Sequence, residues 1–103
     1  MTQPAAKQAV KTVPHGVAEQ LRTPQERAAY LDAWLDEAPE DVAGIARALG
    51  DMARAKGMTQ VATDAGLSRE SLYRGLSADG NPSFKTVLKV ARALGLKLRA
   101  EVA

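Results

Sequence analysis

Apolar residues along this chain recur with two different periods, and most of them follow the helical one. Tyr30, Leu31, Trp34 and Leu35 form a stripe, with Gln25, Asp32 and Asp36 on the opposite face. The run "TPQE" at 23–26 starts this helix: Thr23 caps it, Pro24 takes the first helical position, and Glu26 completes a capping box. The pattern predicts a helix to about Glu37. Pro39 opens a second, in which Val42, Ile45, Ala46, Leu49, Met52 and Ala53 repeat every three or four residues. Glu40 and Asp41 at its start and Arg54 and Lys56 near its end suit the macrodipole, and Gly57 stops it. Gly44 and Gly50 are costly inside a helix, so a close neighbour is expected there.

Thr59 is the expected cap of a short third helix ending near Ala65, Gly66 makes a turn, and Ser68 caps a fourth helix to about Ser77. "SADGNP" (77–82) is a loop by composition. Ser83 caps a fifth helix with Phe84, Val87, Leu88, Ala91 and Leu94 on one face, and Gly95 ends it. The period then changes. "LKLRAEVA" alternates Leu96, Leu98, Ala100 and Val102 with Lys97, Arg99 and Glu101, which predicts a strand over about 96–102. A single strand needs a partner for its backbone. The same strand of a second copy would make Leu96, Leu98, Ala100 and Val102 a homodimer interface, and an edge strand of another protein would serve equally. A frayed tail is the remaining alternative. Residues 1–22, with Pro4, Pro14 and Gly16, show no sustained period and read as a flexible arm. The expected fold is therefore all-α: one domain of five helices over residues 23–103, with a C-terminal β-strand.

Composition narrows the class. A length of 103 residues suits one domain with a modest core. The chain has no cysteine, which excludes disulfides and thiolate metal sites and fits a reducing compartment. No signal peptide or membrane-spanning run is evident, so the expectation is a cytoplasmic protein with no membrane association. The net charge is only +2 but is unevenly spread: +2 over residues 1–22, −5 over 23–51 and +5 over 52–103. A basic C-terminal half suits a polyanion, and the acidic middle suits a different partner.

The fourth helix carries the chemistry. Leu72 and Leu76 fall on one side, with Leu67 just before the helix, and anchor it. Glu70, Ser71 and Arg74 face away, and Arg69 projects near the N-terminal end. Arginine can read guanine, glutamate can accept from cytosine, and serine can serve bases or phosphates, so these four are candidate base readers in a DNA major groove. Small Ala62 and Gly66, followed by Leu67 and Leu72, have the offsets of a helix-turn-helix with "SRESLYRGL" as recognition helix. Lys85, Lys89 and Arg92 lie along one face of the fifth helix, either against phosphates or simply solvated. Asn81, Ser83 and Lys85 are the better phosphate candidates.

The run "ALGDMARAKGMTQVATDAGLSRESLYRGLSADGNPSFKTVLKVARALGLKL" resembles the addiction-module antidote family, a branch of Cro/C1-type helix-turn-helix proteins related to HigA-like antitoxins. The resemblance covers residues 24–103 and is most telling in "GLSRESLYRGLS", "GNPSFKTVLKV" and "ALGLKL". It implies an antitoxin that binds and neutralises a RelE/ParE-like, HigB-type toxin, itself commonly a ribosome-dependent mRNA endonuclease, and that represses its own operon by binding operator DNA. It adds Thr59, Gln60 and Ser68 to the phosphate candidates. In the broader Cro/C1 pattern a Thr-Gln pair stands four residues before the small helix residue, whereas here Gln60 is two before Ala62.

Other functions find little support. His15 is the only histidine, and neither a catalytic triad nor a Gly-rich phosphate loop can be assembled, so no enzyme and no cofactor are expected. Asp32 and Asp36 belong to a solvated helix face rather than a metal site. Tyr30 and Trp34 are open to two readings, an anchor for a protein partner such as the toxin or a cover for the core. A stand-alone Cro-like repressor without a toxin partner remains the alternative to the antitoxin.

Overall fold

The computed structural model describes residues 21–77 and 79–103. Its helices are α1 (Pro24–Glu37), α2 (Val42–Lys56), α3 (Met58–Ala65), α4 (Arg69–Gly75) and α5 (Phe84–Ala93). Of the expected arm, residues 1–22, only Leu21 and Arg22 are among the described residues, and Leu21 is buried in the core.

Local side-chain chemistry sets most helix starts. Thr23 Oγ1 accepts from the Glu26 N–H at 3.1 Å and Glu26 Oε1 accepts from the Thr23 N–H at 3.0 Å, closing the capping box. Ser68 Oγ accepts from the Ser71 N–H at 3.0 Å, and Ser83 Oγ from the Thr86 N–H at 3.1 Å. Two starts differ from expectation. α2 begins at Val42, because the Asp41 carboxylate accepts from the Gly44 N–H at 2.8 Å and leaves Pro39 in the preceding turn. α3 begins at Met58, so Thr59 lies inside it. Gly57 (φ 117°) both closes α2 and opens α3, and the capping position therefore falls on a residue with no side chain.

The core collects Leu21, Leu31, Leu49, Met52, Val61, Leu72, Leu76, Val90 and Leu94 from all five helices and their flanks. α2 packs against α1, α3 and α5, and α3 carries both α4 and α5. The two glycines of α2 mark tight approaches. The Trp34 ring of α1 lies on Gly44, and the Leu76 carbonyl sits 3.0 Å from where a Cβ at Gly50 would be. Four residues of the anticipated apolar faces, Leu35, Val42, Phe84 and Leu88, turn outward. On α1, Leu35 is exposed, and buried Arg27 joins Leu31 and Trp34 on the inner face. On α5, Phe84 (70% exposed) and Leu88 face solvent, while Val90, Ala91 and Ala93 face inward.

Arg27 is 5% exposed and has no acidic partner at bonding distance among the described residues. Its guanidinium donates to the carbonyls of Leu21 (3.0 Å), Arg22 (2.9 Å) and Leu94 (2.9 Å). Lys56 Nζ donates to the neighbouring carbonyl of Ala93 at 2.5 Å. Two cations from different helices thus satisfy the last carbonyls of α5, where the helix dipole favours positive charge.

The strand predicted over 96–102 does not form, and no strand occurs among the described residues. α5 ends as α3 does. The Leu67 N–H reaches back to the Ala62 carbonyl (2.9 Å) past Gly66 (φ 72°), and the Leu96 N–H to the Ala91 carbonyl (2.8 Å) past Gly95 (φ 80°). Both are Schellman-type helix ends that tuck a leucine inward. Leu96 is therefore a half-buried cap residue of α5 rather than the start of a ladder. Beyond it Leu98, Ala100 and Val102 (97% exposed) have no neighbouring strand to pair with, so alternation alone does not produce one. The tail runs beside α1 and borders an open groove with Ala28, Ala29, Asp32 and Leu35.

Candidate nucleic-acid interface

α3 and α4 form a helical hairpin joined by Gly66, Leu67 and Ser68. Gly66 takes the left-handed conformation that a side chain would strain, and the Leu67 N–H bond to Ala62 fixes the angle at which the chain leaves α3. Ser68 then restarts the helix: its carbonyl accepts from the Leu72 N–H at 3.0 Å and its hydroxyl from Ser71. Leu72 and Leu76 are buried and Leu67 packs on the core, so one side of α4 is fixed to the protein.

The other side is free. Arg69, Glu70, Tyr73 and Arg74 are exposed, whereas Ser71 is half-buried with its N–H engaged in the cap. The two arginines are held differently. Arg74 Nη1 lies 3.8 Å from Glu70 Oε2, a loose exposed pair worth little to stability. Arg69 stacks over the Tyr73 ring, 5.3 Å from its centroid, and donates from Nη2 to the Tyr73 hydroxyl at 3.0 Å. The i, i+4 spacing of an arginine and a tyrosine on an exposed helix was the sequence signal for this contact, and Tyr73 is the surface residue that motif reasoning missed.

The phosphate candidates fall into two groups. Asn81, Ser83 and Lys85 are exposed where the chain returns from α4 into α5. The end of α4 meets this turn closely: a Cβ at Gly75 would lie 3.7 Å from Pro82 Cβ and 3.9 Å from Thr86 Cγ2. Lys85 thereby extends the basic surface beside α4, with exposed Arg92 and half-buried Lys89 further along α5. Ser83 Oγ already caps α5 and bonds to Thr86 Oγ1 at 3.1 Å. On the other side Thr59, Gln60 and Ser68 are exposed, but the Gln60 amide donates to Asp64 Oδ1 at 2.8 Å and Asp64 lies 3.6 Å from Lys56. That carboxylate would repel a phosphate at Gln60.

Tyr30 and Trp34 are placed elsewhere. Trp34 is buried in a small cluster with Ala48, flanked by Tyr30, Ala38 and Ile45, and its indole Nε1–H has no hydrogen-bond partner among the described residues. Tyr30 is half-buried and donates to Asp51 Oδ2 at 3.2 Å, while Arg54 donates to Asp51 Oδ1 at 2.9 Å. Burial, reinforced by the Asp51 charge, pushes the Tyr30 phenol up to about 12. In this conformation both rings pack the α1–α2 interface. No cluster of three or more potential metal ligands occurs among the described residues, and no described helix is long and apolar enough to cross a membrane.

The described residues define a small all-helical domain, with an outward-facing helix bearing Arg69 and Arg74 on a helical hairpin and an acidic segment on α1 and the start of α2. The chain belongs to the family described as "Probable addiction module antidote protein", whose model matches residues 11–102. It is 48% identical over 85 residues to an "Uncharacterized protein" of Haemophilus influenzae (strain Rd), covering 82% of this chain and 86% of that relative. No solved structure matches the chain. The family is one of antidotes, the antitoxin half of an addiction module, and membership implies binding to a toxin partner.

Proposed function

We propose that this antitoxin neutralises a RelE/ParE-like, HigB-type toxin by direct binding and represses its own operon as a homodimer of Cro/C1-type helix-turn-helix domains. The α3–α4 hairpin carries the repressor reading, because Leu72 and Leu76 anchor α4 while Arg69, Glu70 and Arg74 face solvent together. In this reading α4 enters the major groove, with Arg69, Glu70, Ser71 and Arg74 at base edges. Thr59, Ser68, Asn81, Ser83 and Lys85 approach phosphates, and Gln60 joins them only by releasing Asp64. A homodimer would read two half-sites about one helical turn apart. Residues Leu98, Ala100 and Val102 leave exposed apolar surface for its contact. The acidic α1–α2 segment suits a basic toxin.

DNA from upstream of the reading frame tests the repressor function. Specific binding should weaken by roughly 1–3 kcal/mol in Arg69→Ala and again in Arg74→Ala. Unchanged affinity in both variants would reject α4 as the recognition helix. Mixing the chain with the product of the adjacent reading frame tests the toxin partner. No complex at micromolar concentration would leave the stand-alone repressor.

A further inference from the structure

We propose that Tyr73 is a positioning residue for base recognition: its ring and hydroxyl hold the Arg69 guanidinium in the orientation in which that side chain reads a guanine. The proposal rests on the DNA-binding reading of α4 and deepens it.

Arg69 occupies the first position of α4, where the positive end of the helix dipole disfavours a cation. None of the ion pairs among the described residues relieves it: these are Arg54–Asp51, Lys56–Asp64 and Arg74–Glu70. Both of its contacts instead come from one neutral side chain a turn later. The Tyr73 ring holds the guanidinium at cation–π distance, 5.3 Å from its centroid, and the 3.0 Å hydrogen bond to the hydroxyl ties one of its nitrogens, so two contacts restrict where the group can lie. A carboxylate in this place would also hold the arginine but would compete with guanine O6 and N7 for its donors and cancel its charge. Tyrosine leaves the charge intact and occupies one of five N–H groups, so a bidentate fork remains free. The order is imposed before DNA arrives, so less side-chain freedom is lost on docking. The Tyr73 hydroxyl accepts from Arg69 and is left to no other described partner, so its role runs through the arginine. Arg74 differs on each count, being paired with an acid at 3.8 Å. Tyr73 is exposed and outside the core, so replacing it removes the contact without unfolding the hairpin.

The test is fluorescence anisotropy with the full chain and an upstream operator in which each base pair is replaced in turn. The proteins are the wild type, Arg69→Ala, Tyr73→Phe, Tyr73→Ala and the Arg69→Ala/Tyr73→Ala double variant. Arg69→Ala should flatten the preference at one G·C pair in each half-site. Tyr73→Ala should flatten the same pair with a loss of roughly 3–10-fold. Tyr73→Phe, which keeps the stack, should recover part of that preference. The double variant should bind no worse than Arg69→Ala alone, because the tyrosine acts through the arginine. A Tyr73→Ala loss spread evenly over all base pairs, or adding in full to that of Arg69→Ala, would overturn the positioning role in favour of a direct phosphate contact. Wild-type affinity in Tyr73→Ala, with Arg69→Ala impaired, would refute the proposal and leave the DNA-binding reading standing. No sequence preference in the wild type would refute both.

Discussion

Replacing Gly44 by alanine should destabilise the fold even though alanine is the better helix former. A methyl there would stand 2.6 Å from Trp34 Cη2, closer still to Cζ3, and 2.5 Å from the capping Asp41 Oδ2. The indole cannot back away freely, because Ala48, Tyr30, Ala38 and Ile45 surround it. Forcing extra volume into such a site costs about 1–3 kcal/mol. Helix propensity returns up to about 1 kcal/mol. Contacts this short call for the upper part of that packing cost, about 2–3 kcal/mol, so the net loss is about 1–2 kcal/mol, which for a small domain with a urea m-value near 1 kcal/mol/M moves the midpoint down by about 1–2 M. Trp34 is the chain's single tryptophan, so its emission reports both unfolding and displacement of the ring in the folded state. Gly75→Ala is the internal control. Its methyl would meet only Pro82 and Thr86 at ordinary contact distance, so it should be neutral or stabilise by up to about 1 kcal/mol. A Gly44→Ala midpoint at or above that of the wild type would show that the Trp34 packing described here is wrong.

Arg27→Met should cost about 2–4 kcal/mol by stranding the carbonyls of Leu21, Arg22 and Leu94, lowering Tm by roughly 10–30 °C. An unchanged calorimetric melt would contradict this role. The raised Tyr30 phenol means the fold binds that proton more tightly than the unfolded chain does. The stabilising contribution is complete below about pH 10 and is lost as pH rises towards about 12. In denaturation curves at increasing pH, Tyr30→Phe should be less alkali-sensitive than the wild type across that window. Parallel declines would count against it.

Three of the five helix starts and the turns at Gly66 and Gly95 were legible in the sequence because their chemistry is local. Thr23 with Glu26, Ser68, Ser83, Gly66 and Gly95 each act on backbone within a turn of themselves. The glycines of α2 were legible too, as a cost that only a close neighbour explains. The starts at Asp41 and Gly57 were missed because two local signals competed within a few residues, and the other failures depended on partners distant in the chain. Two overlapping apolar stripes run along α5, and the packing of α3 and α2 selects Val90, Ala91 and Ala93 over Phe84 and Leu88. The burial of Arg27 had no signal in the sequence, because it depends on the Leu94 carbonyl 67 residues away as well as on Leu21 and Arg22. The strand over 96–102 was read from a true alternation, but period supplies no partner, and the Leu96 N–H is taken by α5. At the interface the exposed identities on α4 could be read from helical geometry. The Arg69–Tyr73 contact required side-chain conformations, and the burial of Trp34 required Gly44 to be placed beneath it.

The bonds of Arg27 have a topological consequence. One guanidinium bridges Leu21 and Leu94, so the main chain enters and leaves the helical unit at nearly the same point, and the five helices form an almost closed ring. Closing a ring whose ends already touch costs little loop entropy. A circular permutant joining Leu96 to Leu21 through a short glycine linker, with new termini in the 77–82 loop, should therefore keep the core while relocating both tails. Tension applied to residues beyond Leu96 would also reach the start of α1 directly, without first unwinding α5.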